Sequence, residues 1–180
     1  MKRGSSRGAG IWGSAATLPA AGAPLYFALP EPWGALLWFY LFLAAGALAG
    51  ASLARSGLGG PVALRFGAAF SIPGAVLPFS VLPADGPAVV FSTAAAWGFA
   101  LGGAGALGAF LSGPRLAGAR GSRFRSGVRV GMAFLAGGAL AGALAPILTA
   151  VLPARGYFGA WSGGVIAAFA VGGGLLQRKG

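Results

Sequence analysis

The chain has 180 residues, of which 57% are hydrophobic and only 8% are charged. A soluble domain carries roughly a quarter charged residues, so this composition excludes a soluble globular fold and predicts an all-α protein embedded in lipid. The 13 Lys and Arg residues outnumber the 2 acids, but no segment can form the wetted basic surface that nucleic-acid binding needs. We therefore expect contact with membrane lipid and none with nucleic acid.

The chain contains no Cys and no His. Disulfides, thiol catalysis and His acid–base catalysis are thereby excluded, and transition metals lose their usual ligands. The only acids, Glu31 and Asp85, lie near the predicted membrane surfaces. We therefore expect no enzymatic activity, no catalytic residue, no metal site and no cofactor.

Six segments are apolar enough to cross a bilayer, for which a helix needs about 20 residues. The third carries Arg65 one turn inside its start, where the long side chain can reach the headgroups. Trp97 lies near the middle of the fourth, away from the interfaces that Trp prefers, so we expect it to pack between helices. The predicted single membrane domain, 1–180, contains the spans 11–29, 33–54, 62–82, 88–111, 128–152 and 157–176.

The first span is the weakest of the six because Pro19 and Pro24 interrupt it. A cleaved signal peptide is the alternative, since basic residues precede the apolar stretch and the small residues 21–23 match a cleavage site. Pro24 would then follow the cut directly, which we expect to hinder cleavage. We interpret the segment as an uncleaved helix.

The basic residues lie on one side of these six spans. All of them except Arg155 fall in the tails, in the second and fourth connections, or at the adjoining ends of spans. Arg155, Glu31 and Asp85 fall in the other three connections. Because basic connections stay in the cytoplasm, we expect a protein of the cell inner (cytoplasmic) membrane with both termini cytoplasmic.

The three outer turns resemble one another: Leu29–Pro32, Leu82–Gly86 and Leu152–Gly156. A Gly-Ala pair and then a proline (Pro24, Pro78 or Pro146) precede each turn, and these prolines should kink the odd-numbered helices. The pattern favours three helical hairpins. They are either true repeats or chance matches in a sequence rich in Ala, Gly, Leu and Pro.

Glycine supplies 35 residues, many of them spaced four apart. Such pairs let two membrane helices approach closely, either within one bundle or between two copies of the chain. We interpret them as packing inside the bundle. The pairs are Gly46 with Gly50, Gly98 with Gly102, Gly138 with Gly142, and Gly159 with Gly163.

Two groups of residues are candidate binding sites. The connection between the fourth and fifth spans carries four arginines that can contact anionic lipid or an acidic protein, unless they serve topology alone. One aromatic residue follows each outer turn, eight positions after its Leu-Pro proline, and these three could line a cavity open to the outside. The groups are Arg115, Arg120, Arg123 and Arg125, and Trp38, Phe91 and Trp161.

The lack of catalytic groups and of a polar path, together with the many glycine faces, favours a non-catalytic function. We expect a subunit or assembly factor of a larger membrane complex, with protein partners in the membrane. The alternative is a small-solute transporter or substrate-binding membrane component, since repeats and broken helices often mark transport sites. Its ligand would be small and apolar, or bound by backbone groups and hydroxyls.

Overall fold

The computed structural model describes residues 18, 22, 24–57, 60–76, 86–112 and 122–151. A short helical segment, 24–28, precedes a turn and four longer helices, and no strand occurs in these ranges. The four are α1 (Trp33–Ser56), α2 (Gly60–Val76), α3 (Pro87–Ser112) and α4 (Ser122–Val151).

Three of these helices are long and apolar enough to cross a membrane: α1, α3 and the stretch Phe124–Leu148 of α4. The prediction of an all-helical membrane protein is thereby confirmed. Helix α2 has 17 described residues, which at 1.5 Å per residue span about 26 Å. That length is slightly less than the roughly 30 Å hydrocarbon core of a bilayer.

Helices α1 and α3 cover the predicted spans 33–54 and 88–111. Helix α4 instead begins at Ser122 rather than at 128, so Arg123 and Arg125 are helical and do not belong to a connection. Arg propagates a helix well, and no proline separates Ser122 from the apolar stretch. Hydropathy therefore located the membrane-crossing part of α4 but missed its polar first turns.

The span 157–176, most of the span 11–29 and the turn Leu152–Gly156 lie outside the described residues. Pro78 also lies there, whereas Pro146 is inside α4. Residues 24–28 pack against the start of α1, where a Cβ atom placed on Gly34 would lie 2.6 Å from the Tyr26 carbonyl oxygen. The count of six spans, the three hairpins and their repetition stay predictions.

Glycine contacts fix the direction of each helix. Helices α1 and α3 run parallel, since Gly46 faces Leu101 and Gly50 faces Gly105 further along. Helix α4 is antiparallel to α3 and parallel to α2. The C-terminal ends of α1 and α3 and the N-terminal ends of α2 and α4 therefore meet at one end of the bundle, which we call the basic end.

Helix α3 packs against all three of the others, most extensively against α4, whereas the consecutive helices α1 and α2 contact each other little. The α3–α4 contact depends on two glycine pairs that face each other. A Cβ atom on Gly98 would lie 2.6 Å from the Gly142 nitrogen, and one on Gly102 would lie 2.9 Å from the Gly138 Cα atom. These pairs pack helices within one chain, which confirms for them the interpretation that the glycines serve packing inside the bundle. The same holds for Gly46 with Gly50. Gly159 and Gly163 lie outside the described residues.

Aromatic rings fill the centre of the bundle. Trp38, Phe42, Phe66 and Phe134 are almost completely buried. Their rings form a continuous series of contacts through Phe70, with centroid separations of 4.8 to 6.0 Å. Trp97 of α3 packs edge-on against Phe39 of α1 at 4.1 Å, which confirms that it lies between helices.

The α3–α4 contact predicts different effects on stability for alanine substitutions at two adjacent glycines. Gly102→Ala should lower the free energy of unfolding by about 1–3 kcal/mol, because the added methyl group meets backbone atoms of α4. Gly103→Ala is the matched control: no atom lies within 4 Å of its Cβ position, so the better helix propensity of Ala should leave stability unchanged or raise it by up to about 1 kcal/mol. Unfolding in mixed detergent micelles measures both, and equal effects would contradict the glycine interface.

Candidate functional site

The basic end gathers arginines from three helices. Arg55 lies in the last turn of α1, Arg65 in the second turn of α2, and Arg125 and Arg129 in the first turns of α4. All four side chains are exposed. This cluster is the largest concentration of charge in the described part of the chain.

Two contacts hold the three helix ends together. The Ser126 hydroxyl of α4 donates a hydrogen bond of 3.1 Å to the Ala54 carbonyl of α1. A Cβ atom on Gly60 would lie 3.4 Å from the Arg129 Cγ atom, so the aliphatic part of Arg129 packs against the first turn of α2. Arg129 of α4 therefore lies against the first turn of α2, although the two are far apart in the chain.

No carboxylate in the described ranges neutralises this cluster. The only described acid is Glu31, which is exposed in the turn before α1 and so lies at the other end of the bundle. The 24 residues of α1 separate it from Arg55, a distance of about 36 Å at 1.5 Å per residue. Salt screens exposed charges within about 10 Å, so Glu31 has no influence on the arginines.

The predicted arginine group is placed only in part. Arg125 is exposed at the basic end, and Arg123 lies in the first turn of α4. Arg115 and Arg120 lie outside the described residues. The sequence predicted that Arg55, Arg65 and Arg129 lie on one side of the membrane, and the helix directions place them at one end of the bundle. The contact of Arg129 with Gly60 follows from the packing of α2 on α4, which no local pattern reveals.

The predicted outer-cavity residues occupy different environments. Trp38 is 1% exposed and packs against Tyr26 and Phe42, whereas Phe91 of α3 is 52% exposed. Trp161 lies outside the described residues. A cavity lined by the three stays a prediction.

Ser71 of α2 is the one polar anomaly of the described core. It is 1% exposed, and its Oγ atom has no hydrogen-bond partner. Other helical serines bond to the preceding turn: Ser56 to the Leu53 carbonyl, Ser92 to Val89 and Ser112 to Gly108. An unpaired buried hydroxyl costs about 1–3 kcal/mol of stability. Either the fold bears this cost, or the Ser71 hydroxyl binds a ligand.

The outward faces of the bundle are apolar. Phe91, Phe99 and Leu107 of α3 and Met132 and Ile147 of α4 are each more than half exposed. Monomeric soluble proteins rarely expose apolar patches larger than a few hundred Å². These faces are therefore suited to the apolar interior of a membrane, where they imply contact with lipid.

No known protein family matches the chain, and neither a characterised protein nor a solved structure is significantly similar to it. Its class accordingly follows from the helices themselves. Three helices of membrane-spanning length and an apolar outer surface indicate an integral membrane protein.

The unpaired hydroxyl of Ser71 predicts an unusual substitution effect. Ser71→Ala should leave the free energy of unfolding unchanged or raise it, because it removes a buried polar group that has no partner. Ser126→Ala is the control, since it breaks a real bond between α4 and α1 and should cost about 0.6 kcal/mol, typical of membrane proteins. If thermal unfolding in detergent shows Ser71→Ala to be the more damaging change, the hydroxyl has a partner.

Proposed function

We propose that the protein is a non-catalytic subunit or assembly factor of a larger membrane complex, with six spans and both termini in the cytoplasm. The observation that carries the proposal is the composition of the interior. Within the described ranges, Ser71 and Ser112 are the only buried polar residues, and the remaining buried side chains are apolar. Ion pathways and intramembrane active sites depend on ionisable or strongly polar groups, and this interior offers two hydroxyls.

The outer surface supports the same proposal. Helix α3 presents small residues beside large ones: Ala96 and Ala100 are exposed, and no atom lies within 4 Å of the Gly103 Cβ position. Small residues on an outward face allow a second helix to approach closely, which is how membrane subunits associate. Because side chains fill the interior of the bundle, we expect protein partners to bind to its outer faces.

The charge distribution supports the proposed orientation. Arg55, Arg65, Arg125 and Arg129 lie at the basic end, and Glu31 lies at the opposite end. Connections rich in Lys and Arg remain cytoplasmic. The basic end therefore faces the cytoplasm in this proposal.

Because the chain has no cysteine, the orientation is testable with single substitutions. Glu31→Cys should react with a membrane-impermeant maleimide in intact cells. Ser56→Cys, at the basic end, should react only after the membrane is made permeable. Labelling in the reverse order would overturn the proposed topology, and reaction of both in intact cells would show that α1 does not span the membrane.

A small-solute transporter or substrate-binding component is the second candidate. The observation that favours it is the unpartnered Ser71 hydroxyl amid the aromatic core. A ligand that accepts or donates one hydrogen bond there would satisfy that group. The aromatic surroundings restrict such a ligand to a small, largely apolar molecule.

Native mass spectrometry of the protein extracted from its own membrane in mild detergent separates the two candidates. The complex proposal predicts that the chain is detected together with other subunits in a fixed ratio, because its outer faces pack against them. Detection of the chain alone with a small bound molecule would contradict the complex proposal and favour the transporter proposal. If Ser71→Ala then loses that mass, the hydroxyl is the binding group.

A further inference from the structure

We propose that the groove between α2 and α4 at the basic end binds the phosphate headgroup of an anionic phospholipid. The groove is the seam between the two helices where Arg129 of α4 packs on Gly60 of α2, with the exposed side chains of Arg125 and Met132 one turn to either side of Arg129 on α4. This inference concerns residues on two helices and does not depend on the protein being part of a complex.

Helix geometry aims the three guanidinium groups at the same membrane surface. The Cα–Cβ bonds of a helix tilt toward its N-terminus, and both α2 and α4 begin at the basic end. Arg65, Arg125 and Arg129 therefore lean out of the bundle toward the headgroup layer. Arg125 and Arg129 are four residues apart, so they lie on one face of α4.

The electrostatics of the groove favour an anion. Arg125 and Arg129 repel each other on one helix face, and Arg125 lies in the first turn of α4, where the helix dipole favours negative charge instead. Helix α2 adds a second positive N-terminal end beside them, since Arg129 packs on Gly60. No acid in the described residues relieves this repulsion, whereas a bound phosphate would.

The surface below the arginines favours a lipid over free phosphate. Leu64 directly precedes Arg65 and is 36% exposed, and Met132, one turn below Arg129, is 58% exposed. Leu140 continues the same face of α4 and is also exposed. A phosphate at the arginines with acyl chains along these side chains would contact both parts of the groove.

Gly60 shapes the groove. Its missing side chain lets the stem of Arg129 lie against α2, with the Arg129 Cγ and Cδ atoms 3.4 and 3.7 Å from the Cβ position. The stem is thereby partly ordered before a lipid binds. Pre-ordering of this kind lowers the entropic cost of binding.

The test is lipid binding to the purified, delipidated full-length protein in a neutral detergent, measured by native mass spectrometry. The probes are phosphatidylglycerol, phosphatidylcholine and inorganic phosphate. The unmodified protein should bind phosphatidylglycerol more tightly than phosphatidylcholine and should not retain inorganic phosphate. Arg129→Gln and Arg125→Gln should each weaken phosphatidylglycerol binding about fivefold or more, the loss expected when one arginine no longer contacts an anionic headgroup.

Arg55→Gln is the matched control, because it removes the same charge from the same end of the bundle but from α1, outside the groove. It should change phosphatidylglycerol binding less than about twofold, since no direct headgroup contact is lost. Equal losses for Arg55→Gln and Arg129→Gln would overturn the groove in favour of diffuse attraction. Equal binding of inorganic phosphate, or no preference between the two lipids, would overturn it as well.

Discussion

The close approach of α3 to α4 is the constraint on which the rest of the bundle depends. Lipid tails are as apolar as leucine, so membrane helices gain little from hiding apolar side chains and depend instead on close van der Waals contact. Glycines on both helices remove the side chains that would keep the backbones apart, and Cβ atoms at Gly98 and Gly102 would meet main-chain atoms of α4. Since α1 packs mainly on α3 and α2 mainly on α4, the position of α3 against α4 sets the positions of the other two helices.

Glycine and phenylalanine have complementary roles in packing the rest of the bundle. The ring of Phe134 occupies the space left by Gly105, and the Phe134 backbone lies against Gly67 of α2. One large side chain thus fills the junction of three helices, which glycines leave open for it. The result is an interior filled by rings, in which even the Ser71 hydroxyl has no described partner. Such an interior favours a structural role over conduction of ions.

The sequence predicted those features that depend on local composition. Uninterrupted apolar stretches gave α1 and α3, and the four-residue glycine spacing identified faces that do meet. The start of α4 was missed because Arg123 and Arg125 are good helix formers that hydropathy excludes. Helices α1 and α2 follow each other directly, yet each packs mainly on a later helix. The contact of Arg129 with Gly60 depends on that packing, so the groove around Gly60 had no counterpart in the sequence.

The arginines at the basic end serve two purposes that are physically separable. Orientation depends on how many basic residues flank the spans, so Arg55 and Arg129 are equivalent for it. Recognition of a phosphate depends on where each guanidinium points, and there the two differ, because only Arg129 packs on the first turn of α2. Basic residues anywhere near this end of α4 would serve orientation, whereas the proposed anion needs an arginine beside the first turn of α2. The proposed anion therefore accounts for a position that topology leaves open.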